Sequence, residues 1–166
     1  MIFLRPFRFL AQALLVDATP AQLAWGLSLG MLIGLVPKGN LIAIGLMTLL
    51  CALRVNFAAG TLGIFAFSWA GMYLDPFSHR LGHALLTHAS LQPLWTAMYD
   101  TNVVPWTSFN NTVVLGNTLI GLALLYPVYR LSHPVFAKFA PKWAEYVRQY
   151  RVVHVLQGGE LTGRLA

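Results

Sequence analysis

The sequence predicts an all-α protein, an integral membrane helical bundle. It comprises two short apolar arms, able to cross or to form a re-entrant hairpin, two spanning helices, and amphipathic interfacial helices at both ends. Three observations predict this. Hydrophobic residues make up 57% of the 166 and charged ones 10%, with a mean hydropathy of +0.64, whereas soluble domains average about 25% charged residues. Gly26, Gly30 and Gly34 recur four apart in the apolar stretch 25–40. In water each would cost a helix about 1 kcal/mol relative to alanine, but between helices in lipid such a bare face permits close approach. Finally, of the eleven lysines and arginines, Arg5 and Arg8 precede the first apolar segment and six lie from Arg130 onward. Basic residues flanking apolar segments are the mark of cytoplasmic anchoring.

The length fits one membrane domain, 1–166. Residues 2–15 place Phe3, Phe7, Leu10 and Leu14 at helical spacing opposite Arg5, Arg8 and Gln12, with Phe9 breaking the pattern; this predicts an interfacial helix or a surface helix packed on the bundle. Thr19 and Pro20 then start a helix, one as cap and one at the first helical position. The arms 21–36 and 41–53 follow, separated by Pro37-Lys38-Gly39-Asn40. At 1.5 Å per residue the first rises about 24 Å, short of the ~30 Å hydrocarbon layer. Residues 57–74 are long enough to span. The outer segment 75–111 contains one arginine, Arg80, against Asp75 and Asp100. The second spanning segment is 112–129, and 134–157 reads as a basic interfacial helix with Trp143, Val147 and Tyr150 on one face. Both termini are therefore expected on the cytoplasmic side, with the long connection on the outer side, periplasmic in a two-membrane bacterium. Arg5, Arg8 and Asp17 argue against a cleaved signal peptide, so the N-terminus is expected to be retained.

No catalytic constellation emerges. There is no GxSxG, P-loop or dinucleotide fingerprint, and the five acidic residues form no pair at useful spacing; a non-enzyme without cofactor is expected. A basic pI of 9.9 would suit nucleic acid, but the placement of the charges favours membrane lipids as partner. Cys51 stands alone and is expected to be a small buried residue. His79 and His83 are spaced as metal ligands on a helix, yet Phe77, Leu81 and Leu85 leave them on its wet face, and no site for a metal is expected.

The candidate polar, lipid or substrate contacts are Lys38, Asn40, Arg54, Asn56, Asn110 and Asn111. Lys38 and Asn40 form the tip between the arms. At an interface Lys38 snorkels and Asn40 caps the next helix; at mid-depth a buried ammonium signals a ligand. Arg54 and Asn56 read as an anchor beside a cap, or as a polar pair for a lipid phosphate. Asn110 and Asn111 read as a cap or as hydrogen-bonding glue between helices. Trp95 and Trp106 suit an interfacial belt.

Five blocks together resemble a family: residues 24–37 (AWGLSLGMLIGLVP), 53–56 (LRVN), 74–79 (LDPFSH), 91–95 (LQPLW) and 109–116 (FNNTVVLG). In this order the chain resembles the short stand-alone members of the bacterial domain-of-unknown-function family 2062. That resemblance implies no activity. It implies a setting in which short members are encoded beside a very large AsmA-like envelope protein associated with lipid traffic. Other branches carry Asn-Pro near Asp75-Pro76, so a role tied to that asparagine does not transfer. The expected function is a small non-enzymatic inner-membrane subunit, a scaffold or anchor for a larger envelope complex in lipid transport. The alternative is a small oligomeric transporter or channel for lipid or solute, which would make the chain a homo-oligomer.

Overall fold

The computed structural model describes residues 18–163, with side chains described through Lys142 and at Glu145. The expected interfacial helix 2–15 and the facing of Trp143, Val147 and Tyr150 lie outside what is described. Five α-helices follow one another: α1 Pro20–Leu35, α2 Leu41–Ala52, α3 Phe57–Leu86, α4 Gln92–Tyr99 and α5 Thr112–Gly163. Short 3-10 turns occupy Ala89–Leu91 and Val104–Thr107.

Local chemistry sets the helix starts. Thr19 and Gln22 form a reciprocal capping box at α1. Asn40 accepts from the amide of Ala43 at 2.9 Å, Asn56 from Ala59 at 2.8 Å, and Asn111 from Val113 and Val114. Each asparagine satisfies donors the first helical turn leaves open.

The bundle is built around α1, which packs far more extensively on α3 and α5 than on α2. Every residue from Ser28 to Val36 is buried, as befits a helix that is apolar on all sides. Its glycines lie against α3. A Cβ at Gly26 would meet the Asn56 carbonyl and Ala59, one at Gly30 would meet the Gly60 main chain, and one at Gly34 would meet Ile64 and Phe67. Partner numbers rise together, so α1 and α3 run parallel, and α2 is the return that makes this possible. The amide of Asn56 donates to the Gln22 carbonyl at 3.1 Å and ties the end of that return to the start of α1.

In the opposite sense, Gly82 meets Thr112 and Gly116 meets Ser78, so α3 and α5 are antiparallel. Where α1 meets α5, the rings of Trp25 and Tyr129 stack at 4.4 Å.

Two expected boundaries are corrected. Helix α3 does not end at Leu74 but continues through Pro76 to Leu86. The Pro76 ring removes the donor to the Met72 carbonyl, and both residues lie on the exposed side, where the chain absorbs the loss without breaking. Likewise 112–129 and 134–157 are not separate: α5 is one 52-residue helix running through Pro127, Pro134 and Pro141. Cys51 is exposed on α2 rather than buried, because α2 buries only Ala43 and Leu50.

Large apolar side chains are exposed on α3 from Phe57 to Phe77 and on α5 from Leu119 to Phe139. Each stretch covers about 20 residues, a rise of about 30 Å, close to the hydrocarbon thickness. The antiparallel packing of the two helices sets the stretches side by side, giving one apolar belt. On α5 the belt takes in residues 119–129 of the expected span and continues beyond it. Residues 112–118 pair instead with the more polar end of α3. Helices Phe57–Leu86 and Thr112–Lys142 are each long and apolar enough to cross a membrane, whereas α1 and α2 fall short.

Candidate functional site

The six candidate residues fall in three places and do not form one site. Arg54 and Asn56 sit at the end of the bundle where α1 and α3 begin. Arg54 is exposed and makes no ion pair among the described residues, while Asn56 is engaged as a cap. Asn110 and Asn111 sit at the head of α5. Asn111 caps the helix, and Asn110 lines the rim of a cleft of about 250 Å³ with Trp95, Tyr99, Asp100 and Phe109.

Lys38 and Asn40 occupy the tip between α1 and α2. Pro37 cannot continue α1, so the last carbonyls of that helix need other donors. Lys38 provides them. Its Nζ donates to the carbonyls of Ile33 at 2.6 Å, Gly34 at 3.1 Å and Val36 at 2.7 Å. An ammonium has three donors, so all of them go to the main chain, and its charge opposes the negative end of the helix dipole. Gly39 takes φ +94°, a left-handed conformation that closes the turn. Asn40 is 5% exposed and bridges the turn, its Nδ2 donating to the Pro37 carbonyl at 2.7 Å while its Oδ1 caps α2. The tip comes level with Leu74, which packs on the cluster of Met31, Leu32, Leu35 and Val36.

Just past the tip lies a polar network that the sequence did not single out. Ser78 Oγ donates to Asn117 Oδ1, and Asn117 Nδ2 donates to Asp75 Oδ1 at 2.9 Å. Ser78 and Asn117 are both fully buried. The glycines Gly82 and Gly116 bring α3 and α5 close enough for these short side chains to meet. Nearby, His79 Nδ1 and Thr112 Oγ1 are 2.7 Å apart, and His79 and His83 are exposed. Among the described residues no three potential metal ligands come together. A carboxylate, an amide and a hydroxyl locked together suit a clamp between helices. The usable signal was Gly82 four after Ser78, matched by Gly116 beside Asn117.

Residues 87–111 fold back on the bundle. Trp95 is half-buried, and its Nε1 donates to the Leu85 carbonyl at 3.0 Å; its ring lies 6.0 Å from that of Phe109. It thus ties residues 87–111 to the end of α3. The turn Val104–Thr107 contacts α4 and α2. Leu94, Tyr99, Val103 and Trp106 remain exposed, Trp106 at 75%.

The chain matches the family described as "Uncharacterized protein conserved in bacteria (DUF2062)" over residues 4–144. It is also 27% identical over 123 residues to an uncharacterised protein of Treponema pallidum (strain Nichols), covering 74% of this chain and 76% of the relative. No solved structure matches it. With the match extending from ahead of α1 into α5 and taking in every helix contact described above, the chain belongs to the DUF2062 family.

Proposed function

We propose that this protein is a small non-enzymatic subunit of the bacterial inner membrane that anchors a larger envelope protein through residues 87–111. The observation that carries the reading is the exposure of Leu94, Tyr99, Val103 and Trp106 on a segment bounded by Leu86 and Thr112, both past the end of the apolar belt. Aromatic side chains left open where lipid no longer surrounds the chain are the usual composition of a partner interface. The charge distribution supports a periplasmic position for this segment and cytoplasmic termini. The family resemblance supports a large AsmA-like partner and a setting in lipid transport.

A small oligomeric transporter or channel gains no support from the same geometry. The interior is filled by α1, which glycine contacts seal against α3, and Lys38 has no donor left for a substrate. The test is photo-crosslinking in native membranes from positions 103 and 106, with position 122 on the belt as comparison, and identification of adducts by mass spectrometry. The expected outcome is a large envelope protein at 103 and 106 and lipid at 122. Lipid or self-adducts alone at all three positions would refute the anchor.

A further inference from the structure

Arg130 is a charge at the edge of the apolar belt. It is exposed on α5 and continues the stripe of Leu119, Leu122 and Tyr126 at steps of three and four, so it faces what those apolar side chains face. Its neighbour Tyr129 stacks on Trp25, which adjoins Gly26 where that glycine meets Asn56 at the start of α3, so Arg130 lies near the end of the belt marked by Phe57. An arginine side chain at this level reaches the headgroup layer. No carboxylate pairs with it among the described residues. A guanidinium at headgroup level with no carboxylate partner is placed to hold a lipid phosphate.

Beside it is a cleft of about 290 Å³ lined by Tyr129, Arg130, His133 and Pro134. Its walls are fixed from within. Trp25 on α1 stacks on Tyr129, and the Tyr129 and His133 rings lie 5.6 Å apart. Pro134 has no N–H, so the Arg130 carbonyl loses its regular helical donor and becomes an acceptor at the same place. A planar fork of donors, an imidazole, a phenol and a spare carbonyl together match a phosphate with its polar substituent. The cleft holds a headgroup but not acyl chains, which would lie outside it along Leu122 and Tyr126.

We propose that Arg130, with His133 and Tyr129, binds the phosphate of a phospholipid whose chains run along the belt of α5. The proposal rests on the belt facing lipid, and the experiment separates the two. The full chain is purified in mild detergent, exchanged into nanodiscs of phosphatidylcholine with one-tenth phosphatidylglycerol, released and weighed intact by native mass spectrometry. Wild type is expected to retain one phosphatidylglycerol at least fivefold above its share of the disc. Arg130→Gln should lose that enrichment, Arg130→Lys should lose most of it because an ammonium does not bind bidentately, and Arg80→Gln should keep it. Arg130→Lys retains charge and bulk, so it carries the test if Arg130→Gln does not fold. Equal enrichment in wild type and Arg130→Lys, or none in wild type, would overturn the site. A chain that enters no disc would overturn the belt itself. Displacement of the lipid by millimolar inorganic phosphate would assign the cleft to a free anion and overturn the lipid.

Discussion

Gly30→Ala tests the packing of α1 on α3. An added Cβ at position 30 meets main chain only: the carbonyl oxygen of Gly60, its carbon at 2.9 Å and its Cα at 3.0 Å. Backbone cannot rotate aside as a side chain can, so α3 must move as a body, and its neighbouring contacts loosen with it. Overpacking of this kind costs about 1–3 kcal/mol, and a glycine-to-alanine change returns about 1 kcal/mol in helix propensity. The contact is closer than ordinary overpacking, so the net loss is expected near the upper end, about 2 kcal/mol.

Two further glycines calibrate it. A Cβ at Gly60 meets only the ends of the Leu50 side chain, at 2.8 Å, and one at Gly45 meets nothing within 4 Å. Gly60→Ala should therefore stay within about 1 kcal/mol of wild type, and Gly45→Ala should match or exceed it by up to about 1 kcal/mol. Unfolding in mixed micelles of increasing dodecyl sulfate, followed by circular dichroism, gives the order. If Gly30→Ala proves as stable as Gly60→Ala, the close approach of the two main chains is wrong.

Further outcomes follow from the polar contacts. Asn117→Leu strands the buried Ser78 hydroxyl and releases Asp75, with an expected loss of about 1–3 kcal/mol in the same assay; unchanged stability would dismiss the clamp between α3 and α5. Lys38→Met leaves three α1 carbonyls without their donor, an expected loss of about 1–3 kcal/mol, visible as faster amide exchange at residues 36–43. Asn56→Ala removes the α3 cap and should cost about 1 kcal/mol, while Asn40→Ala at the opposite end of α2 should add to it within about 0.5 kcal/mol. A double mutant far from the sum would mean that the tip and the base of the return helix are coupled.

What was legible in the sequence was the chemistry that acts over three or four residues. Thr19-Pro20, Asn40, Asn56 and Asn111 announce helix starts because a cap and the amides it satisfies are neighbours in the chain. The all-α class was legible because the apolar periodicity spans whole segments. Helix ends were harder. Pro76 and Pro134 stand just past the expected spans, yet α3 and α5 pass through them, and through Pro127 and Pro141 as well. A proline ends a helix only when nothing else holds it, and here packing over the flanking turns does. The Asp75–Ser78–Asn117 network left its trace only in Gly82 and Gly116 beside it, since its members lie 39 and 42 residues apart and meet through the register of two helices. Arg130 was counted among the flanking positive charges, which its level beside Trp25 and Asn56 supports; the cleft it forms with Tyr129 and His133 was not singled out.

The parallel alignment of α1 and α3 makes α2 a tether of fixed length. The chain leaves α1 at Leu35 and must come back beside Gln22 before α3 can begin, a distance of about 20 Å along the α1 axis. Twelve helical residues cover about 18 Å of it, and residues 53–56 close the remainder. Few side chains of α2 are held by anything, so many apolar sequences could serve there. Removing one turn, about 5.4 Å, would leave Asn56 unable to reach Gln22. This segment of the chain is therefore constrained in how far it reaches much more than in what it is made of, and it should tolerate substitution freely while refusing deletion.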